Sequence, residues 1–149
     1  MLRHPDAASP LSYLASGSFQ TVIQDPEVTN GQRLIFCTGK IGHELRRERK
    51  RRGDTITAIL FVEQMFPVPE KDLEEAIAKH SNAREFLWVQ EEPANMGALG
   101  FIGPHIERLT RGNPLRSVKR SASSSPSTGS HTAHEMEQKT LMELAFTTF

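Results

Sequence analysis

The chain has 149 residues, with 18 Lys plus Arg against 18 Asp plus Glu, so its formal net charge is zero. That balance gives no reason to expect nucleic acid or an anionic membrane as a partner. Its one cysteine, Cys37, leaves no internal disulfide and fits a reducing compartment, and no apolar run reaches the roughly 20 residues that span a bilayer.

The length suits one domain with a core of its own. Residues 1–31 read as a tail or linker from a preceding domain. They carry Pro5, Pro10 and Pro26 and only a short extended piece, over 19–23. Their N-terminus has neither the apolar stretch of a signal peptide nor the Arg-rich character of a transit peptide. A compact domain is expected over 32–149. It opens with the apolar run 33–37, followed by a helix over 41–52 that Gly53 closes. Residues 55–62 form a second apolar run rich in β-branched side chains. Pro67 and Pro69 break the chain, and Pro69 suits the first turn of a helix over 70–79. That helix has Leu73, Ala76 and Ile77 on one face and acids near its positive end. A third strand is predicted over 85–90, then a helix over 96–110 that Pro104 should kink or split. A fourth short strand over 115–119, a Ser-rich loop and a last helix over 133–145 complete the pattern. Thr132 with Glu135 fits a capping box at the start of that helix.

The predicted strands are nearly continuous apolar runs, as expected of strands buried on both faces. With strands and helices alternating, the expected fold is α/β: three layers, with a mostly parallel sheet of four to five strands between helices.

Several stretches are similar to one family in order and spacing. They are Leu34-Ile35-Phe36-Cys37-Thr38-Gly39-Lys40, Val62-Glu63-Gln64-Met65-Phe66-Pro67-Val68-Pro69, and Trp88-Val89-Gln90-Glu91-Glu92-Pro93-Ala94-Asn95-Met96-Gly97-Ala98. The hydroxyl-rich stretch from Ser121 through Ser123, Thr128 and Ser130, with His134 and Glu137 beyond it, is a fourth. All resemble the C-terminal domain of the E1 component of 2-oxoglutarate dehydrogenase, and Leu2-Arg3-His4-Pro5 resembles the segment that joins it to the domain before. The resemblance implies a transketolase C-terminal-like fold. It also implies a parent enzyme that uses thiamine diphosphate and Mg²⁺ to decarboxylate 2-oxoglutarate in the citric acid cycle. That parent passes the succinyl group to an E2 succinyltransferase, in the bacterial cytoplasm or the mitochondrial matrix. It further implies that upstream E1 domains or a second E1 subunit are partners. Four places depart from the family pattern. Gly42-His43 stands where aromatics are usual, Phe61 where Arg is usual, Leu99-Gly100 in place of Trp, and Lys119-Arg120 in place of Gly-Arg.

The cradle for the cofactor is missing. The superfamily anchors the diphosphate through a Gly-Asp-Gly motif, and the only Gly-Asp pair here, Gly53-Asp54, is followed by Thr55. No catalytic, cofactor-binding or metal-ligating residue is assigned, and the chain is expected to be inactive alone. Lys40, Glu91, Glu92, Asn95, Arg120, Ser123, Thr128 and His134 stand as family-motif or interface candidates. Adjacent Glu91 and Glu92 should point apart and so cannot act on one substrate. Asn95 fits as a helix cap, and Cys37 as a small buried apolar group. His131 and His134 with Glu135 and Glu137 make only a weak metal-ligand spacing. The basic run 46–52 is read as a solvated helix end favoured by the helix dipole, in preference to a phosphate or nucleic-acid patch. Two further readings stay open: a phosphate-binding regulatory module using loop 116–130, and a truncated relic without activity.

Overall fold

The computed structural model describes residues 4–147. Leu2 and Arg3 of the joining segment lie outside the described residues. The chain runs through α1 (Leu11–Ser16), β1 (Val22–Ile23), β2 (Arg33–Cys37), α2 (Lys40–Arg52) and β3 (Thr57–Val62). It continues through α3 (Glu70–Ala78), β4 (Glu85–Pro93), α4 (Leu99–Leu109), β5 (Leu115–Arg120) and α5 (His131–Ala145). One five-stranded sheet has the order β1-β3-β2-β4-β5. Its last four members are parallel, and β1 is an antiparallel edge.

Side chains alternate across a strand, and here both faces are covered. Leu34, Phe36, Leu60, Phe86 and Trp88 point to one side and pack with Leu73, Ala76, Ile102 and Ile106 of α3 and α4. Ile35, Cys37, Ile59, Leu87 and Val89 point to the other and pack with Ile41 and Leu45 of α2 and Leu141 and Ala145 of α5. This is the α/β fold with helices on both faces that the apolar runs imply. Gly53, in the left-handed region at φ 66°, ends α2.

The basic run is corrected at Arg49, while Arg47, Lys50, Arg51 and Arg52 are exposed as expected. Arg49 is buried, where a solvated helix end was expected, and pairs with equally buried Asp25 as well as with Glu27 at 2.6 Å. Asp25 also accepts the amides of Glu27, Val28 and Ile59 at 2.9, 3.1 and 2.7 Å. Burial alone would raise its carboxyl, but Arg49 and these amides hold it below the ordinary carboxylate value. Arg46 donates to the Gln24 and Ile59 carbonyls and lies 4.2 Å over the Phe61 ring. Arg51 and Arg52 both reach Glu48 at 2.6 Å. The segment ahead of β2 is therefore fastened to the core by the helix that looked basic.

Three boundary expectations also change. Pro69 is the N-cap of α3, one place before the first turn. Pro104 lies inside a continuous α4 and does not split it. Its missing amide would have served Gly100, and both residues face solvent, where water can meet the Gly100 carbonyl. The last helix starts at His131, with Ser130 as N-cap accepting the Ala133 amide, so the Thr132–Glu135 capping box does not form.

Candidate functional site at the carboxyl ends of the strands

In an open parallel sheet, ligands usually sit at the carboxyl ends of the strands where the strand order reverses. Here β2 lies between β3 and β4, so that crevice lies beyond Cys37 and Gln90. It is occupied by the protein itself. Lys40 Nζ bridges Glu91 at 2.6 Å and Glu44 at 3.1 Å. Gln138 of α5 donates to Glu44 at 2.5 Å and to Glu91 at 3.3 Å. Burial would lower the Lys40 ammonium, but hydrogen bonds to Glu91 and Glu44 outweigh it and raise its pKa. The result is a permanently charged clamp joining α2, β4 and α5.

The turn after β4 is built around Gln90, whose amide is buried. Its Oε1 accepts from Trp88 Nε1 at 2.8 Å and from the Leu99 amide, the first of α4, at 3.1 Å. Its Nε2 donates to the Met96 carbonyl at 2.8 Å and to the Glu92 and Pro93 carbonyls at 3.3 Å. Gly97 completes the turn at φ 74°, and a Cβ there would stand 2.8 Å from Gln90 Nε2. The Trp88-to-Ala98 motif is therefore one self-wrapped turn. Within it Glu91 and Glu92 do diverge: Glu91 enters the clamp and Glu92 faces solvent.

Asn95 does not cap α4; the N-cap is Ala98, with no side-chain bond. Instead Asn95 donates to the Ser123 carbonyl at 2.9 Å and accepts the Ser123 amide at 3.1 Å. That reciprocal pair fastens the turn to the hydroxyl loop. Arg120 organises the same loop from beneath. Its Nε donates to the Glu91 carbonyl at 2.5 Å, Nη2 to Pro126 at 2.7 Å, and Nη1 to Thr128 at 2.9 Å and Glu137 at 3.2 Å. The Thr128 hydroxyl donates to Glu137, and that bond, followed by Arg120, holds the Glu137 carboxyl below its ordinary value. Most of the Arg120 guanidinium is thus committed to the fold.

Between the hydroxyl loop and α5 runs a cleft of about 600 Å³, with Ser125 and Ser127 on one wall and Met136, Leu141 and Leu144 on the other. His134 stands exposed on α5. Six of the eight candidates meet in pairs here, while Glu92 and His134 face solvent. Lys40 and Glu91 share one contact, Asn95 and Ser123 another, and Arg120 and Thr128 a third.

A thiamine diphosphate site does not fit these residues. The Asp54 carboxylate accepts the Ile56 and Thr57 amides at 2.8 and 3.0 Å and the Thr57 hydroxyl at 2.6 Å. It serves a turn entering β3 and is not placed to anchor a diphosphate. The crevice at the strand ends is closed by the Lys40 clamp. Among the described residues no group of three or more His, Cys, Asp or Glu is placed to hold a metal ion. Nor is any described helix long and apolar enough to cross a membrane.

The sequence profile of the family described as 2-oxoglutarate dehydrogenase C-terminal matches residues 8–146. The chain belongs to that family. It is 43% identical over 150 residues to the 2-oxoglutarate dehydrogenase E1 component of Cupriavidus necator, a match covering 98% of this chain and 16% of the relative. It is 40% identical to the mitochondrial 2-oxoglutarate dehydrogenase of Caenorhabditis briggsae, covering 98% of this chain and 15% of that one. A probable 2-oxoadipate dehydrogenase complex component E1 homologue of Dictyostelium discoideum is 36% identical, covering 98% and 17% respectively. The chain therefore spans about one sixth of the length of these relatives. In these bacterial and mitochondrial relatives the matching domain is part of a larger enzyme.

Pattern reading missed Gln90, Asp25 and the Gly42–Phe61 contact. An ideal Cβ on Gly42 would lie 1.3 Å from the Phe61 ring. Two of the departures from the family pattern are thus one feature, with the Phe61 ring occupying the space of a side chain at 42. A small residue opposite an unusual aromatic was the available signal.

Proposed function

We propose that this chain is the non-catalytic C-terminal domain of a thiamine-diphosphate-dependent 2-oxoglutarate dehydrogenase E1, serving assembly and forming a wall of the parent's active-site region. The observation that carries this reading is the closed crevice. Where an α/β domain would offer a ligand site, Lys40, Glu91, Glu44 and Gln138 bind one another. Arg120 and Asn95 then fix the adjoining loops. Such a surface is preorganised for docking and lacks an acid–base pair of its own. The thiamine chemistry, the Mg²⁺ and the succinyl transfer to an E2 partner would belong to the upstream domains. The compartment would be that of the parent, bacterial cytoplasm or mitochondrial matrix. The 2-oxoadipate relative shows that substrate choice within this family must be tested, and 2-oxoglutarate is the substrate proposed.

The test grafts this chain in place of the last sixth of the Cupriavidus necator enzyme. Reduction of an artificial acceptor is then followed with 2-oxoglutarate, thiamine diphosphate and Mg²⁺. The graft should turn over, and the 149-residue chain alone should give no rate above buffer. Turnover by the chain alone, or a folded graft with no turnover, would overturn the proposal.

A further inference from the structure

The two edges of the sheet differ. β1 is two residues long, too short to recruit another strand. β5 spans six residues and is the last strand of the sheet, hydrogen-bonded to β4. An edge strand of that length offers a row of N–H and C=O groups along its outer side.

The side chains of β5 decide what pairs there. Alternation sends Val118 to the α5 face, where it packs with Leu87 and Val89, and Arg116 falls on the same face. Leu115 packs on the opposite face, with Ser117 and Lys119 in line with it, and Lys119 Nζ donates to the Ser117 hydroxyl at 2.6 Å. Exposed Arg116 and half-buried Lys119 therefore put one cation on each face of the edge. Beside the strand, on the α5 side, lies a cleft of about 130 Å³ lined by Leu87, Arg116, Val118 and Leu144. No carboxylate lines it, and it has room for one aliphatic side chain.

A second copy of the chain does not suit this edge. β5 set against β5 would bring Arg116, Lys119 and Arg120 of one strand alongside the same cations of the other, and like charges opposite one another destabilise a sheet. Pairing along the main chain calls for a polypeptide, and the cations call for acids on it.

We infer that the open edge of β5 takes an extended acidic segment of a partner polypeptide as a sixth strand. Main-chain hydrogen bonds hold the segment, carboxylates on its two faces meet Arg116 and Lys119, and an aliphatic side chain between them enters the cleft. This docking goes beyond the proposed function and does not depend on it.

Hydrogen exchange of the chain tests it, with the capped peptide Thr-Glu-Val-Val-Glu-Thr as probe and Thr-Lys-Val-Val-Lys-Thr as control. The two Glu of the probe are spaced as Arg116 and Lys119 are, so they fall on opposite faces of an added strand. With the probe at about ten times its Kd, the outward amides of residues 115–120 should exchange roughly tenfold more slowly. The control peptide should leave them unchanged. Arg116→Glu with Lys119→Glu should reverse the preference, so that the lysine peptide slows the edge and the acidic one does not, while the amides of β2 and β3 stay protected. No slowing up to the solubility of the acidic probe, or equal slowing by both peptides, would overturn the inference. Slowing that grows with the concentration of the chain alone would assign the edge to a second copy and overturn it too.

Discussion

Gly42→Ala is the substitution whose effect the structure specifies most directly. On an exposed helix face the change would stabilise, since Gly costs about 1 kcal/mol relative to Ala within a helix. Position 42 is different. Its Cβ would fall 1.3 Å from Phe61 Cε1, 2.1 Å from Cδ1 and 2.5 Å from Cζ. The ring is 2% exposed, so it has little room to leave. Arg46 lies 4.2 Å over it and His43 packs at 5.2 Å between centroids. Overpacking of a dense core costs about 1–3 kcal/mol. A clash this deep belongs at the upper end, and the helix gain offsets about 1, leaving a net loss of about 2 kcal/mol. For a chain of this length that is roughly 4–8 °C in Tm. Urea unfolding followed by the fluorescence of Trp88, the single and fully buried tryptophan, reads it directly. Phe61→Ala alone should cost about 3–5 kcal/mol through its cavity. Combined with Gly42→Ala it should cost less than the sum by more than about 1 kcal/mol, because the added methyl enters the vacated space. A Gly42→Ala variant as stable as the parent, or a strictly additive double variant, would refute the packing argument.

Asp25→Ala should destabilise by about 3–5 kcal/mol, because it leaves buried Arg49 with only the more exposed Glu27; a loss under about 1 in urea titration would contradict this. Gln90→Ala strands Trp88 Nε1 and the Leu99 amide together. At about 1–3 kcal/mol for each unsatisfied buried group it should cost several kcal/mol, with hydrogen exchange of 91–99 rising most. His80 is buried, and its Nδ1 accepts the Gly31 amide at 2.9 Å, so only the neutral ring fits. Burial holds its pKa below the ordinary 6.5 despite nearby Asp25. Its contribution to stability is therefore complete above about pH 6.5 and is lost as pH falls through the lower folded value. The stability difference between the parent and His80→Gln should shrink on going from pH 7 to pH 5, and a pH-independent difference would sink the idea. Cys37 is fully buried, and burial pushes its thiol far above the ordinary range. It should resist a thiol reagent in the native chain and label stoichiometrically in urea, as read by intact mass.

The sheet was legible because burial on both faces leaves an unmistakable trace. Residues 33–37, 57–62 and 85–90 have no polar face to alternate with, and only helices on both sides can cover such strands. The antiparallel edge β1 was legible only as the short extended piece over 19–23, of which Val22–Ile23 pair with β3, since two paired residues cannot show a period. Local capping failed for a different reason. Thr132 with Glu135 satisfies the capping pattern, but so does Ser130 with the Ala133 amide, and tertiary packing of α5 decides between registers two residues apart. Asn95 was a plausible cap until Ser123, far along the chain, offered it both a donor and an acceptor. The basic run shows the limit most clearly. Charge counted along α2 gives a solvated cationic surface, whereas Arg49 is neutralised by Asp25, a residue 24 positions upstream that no helical spacing connects to it.

The same reasoning explains why the motif residues were found but not their work. Motifs in an enzyme suggest contacts with substrate, yet here Gln90, Glu91 and Asn95 bond to the protein itself, while Glu92 faces solvent. Gln90 saturates its amide against Trp88, Leu99 and three carbonyls. Glu91 closes on Lys40, and Asn95 ties the next loop. These contacts join β4 to α2, to α4 and to the loop after β5, and so hold that surface rigid. A domain under that constraint presents its neighbours with a fixed shape. What it can then do is set by which neighbour meets that shape.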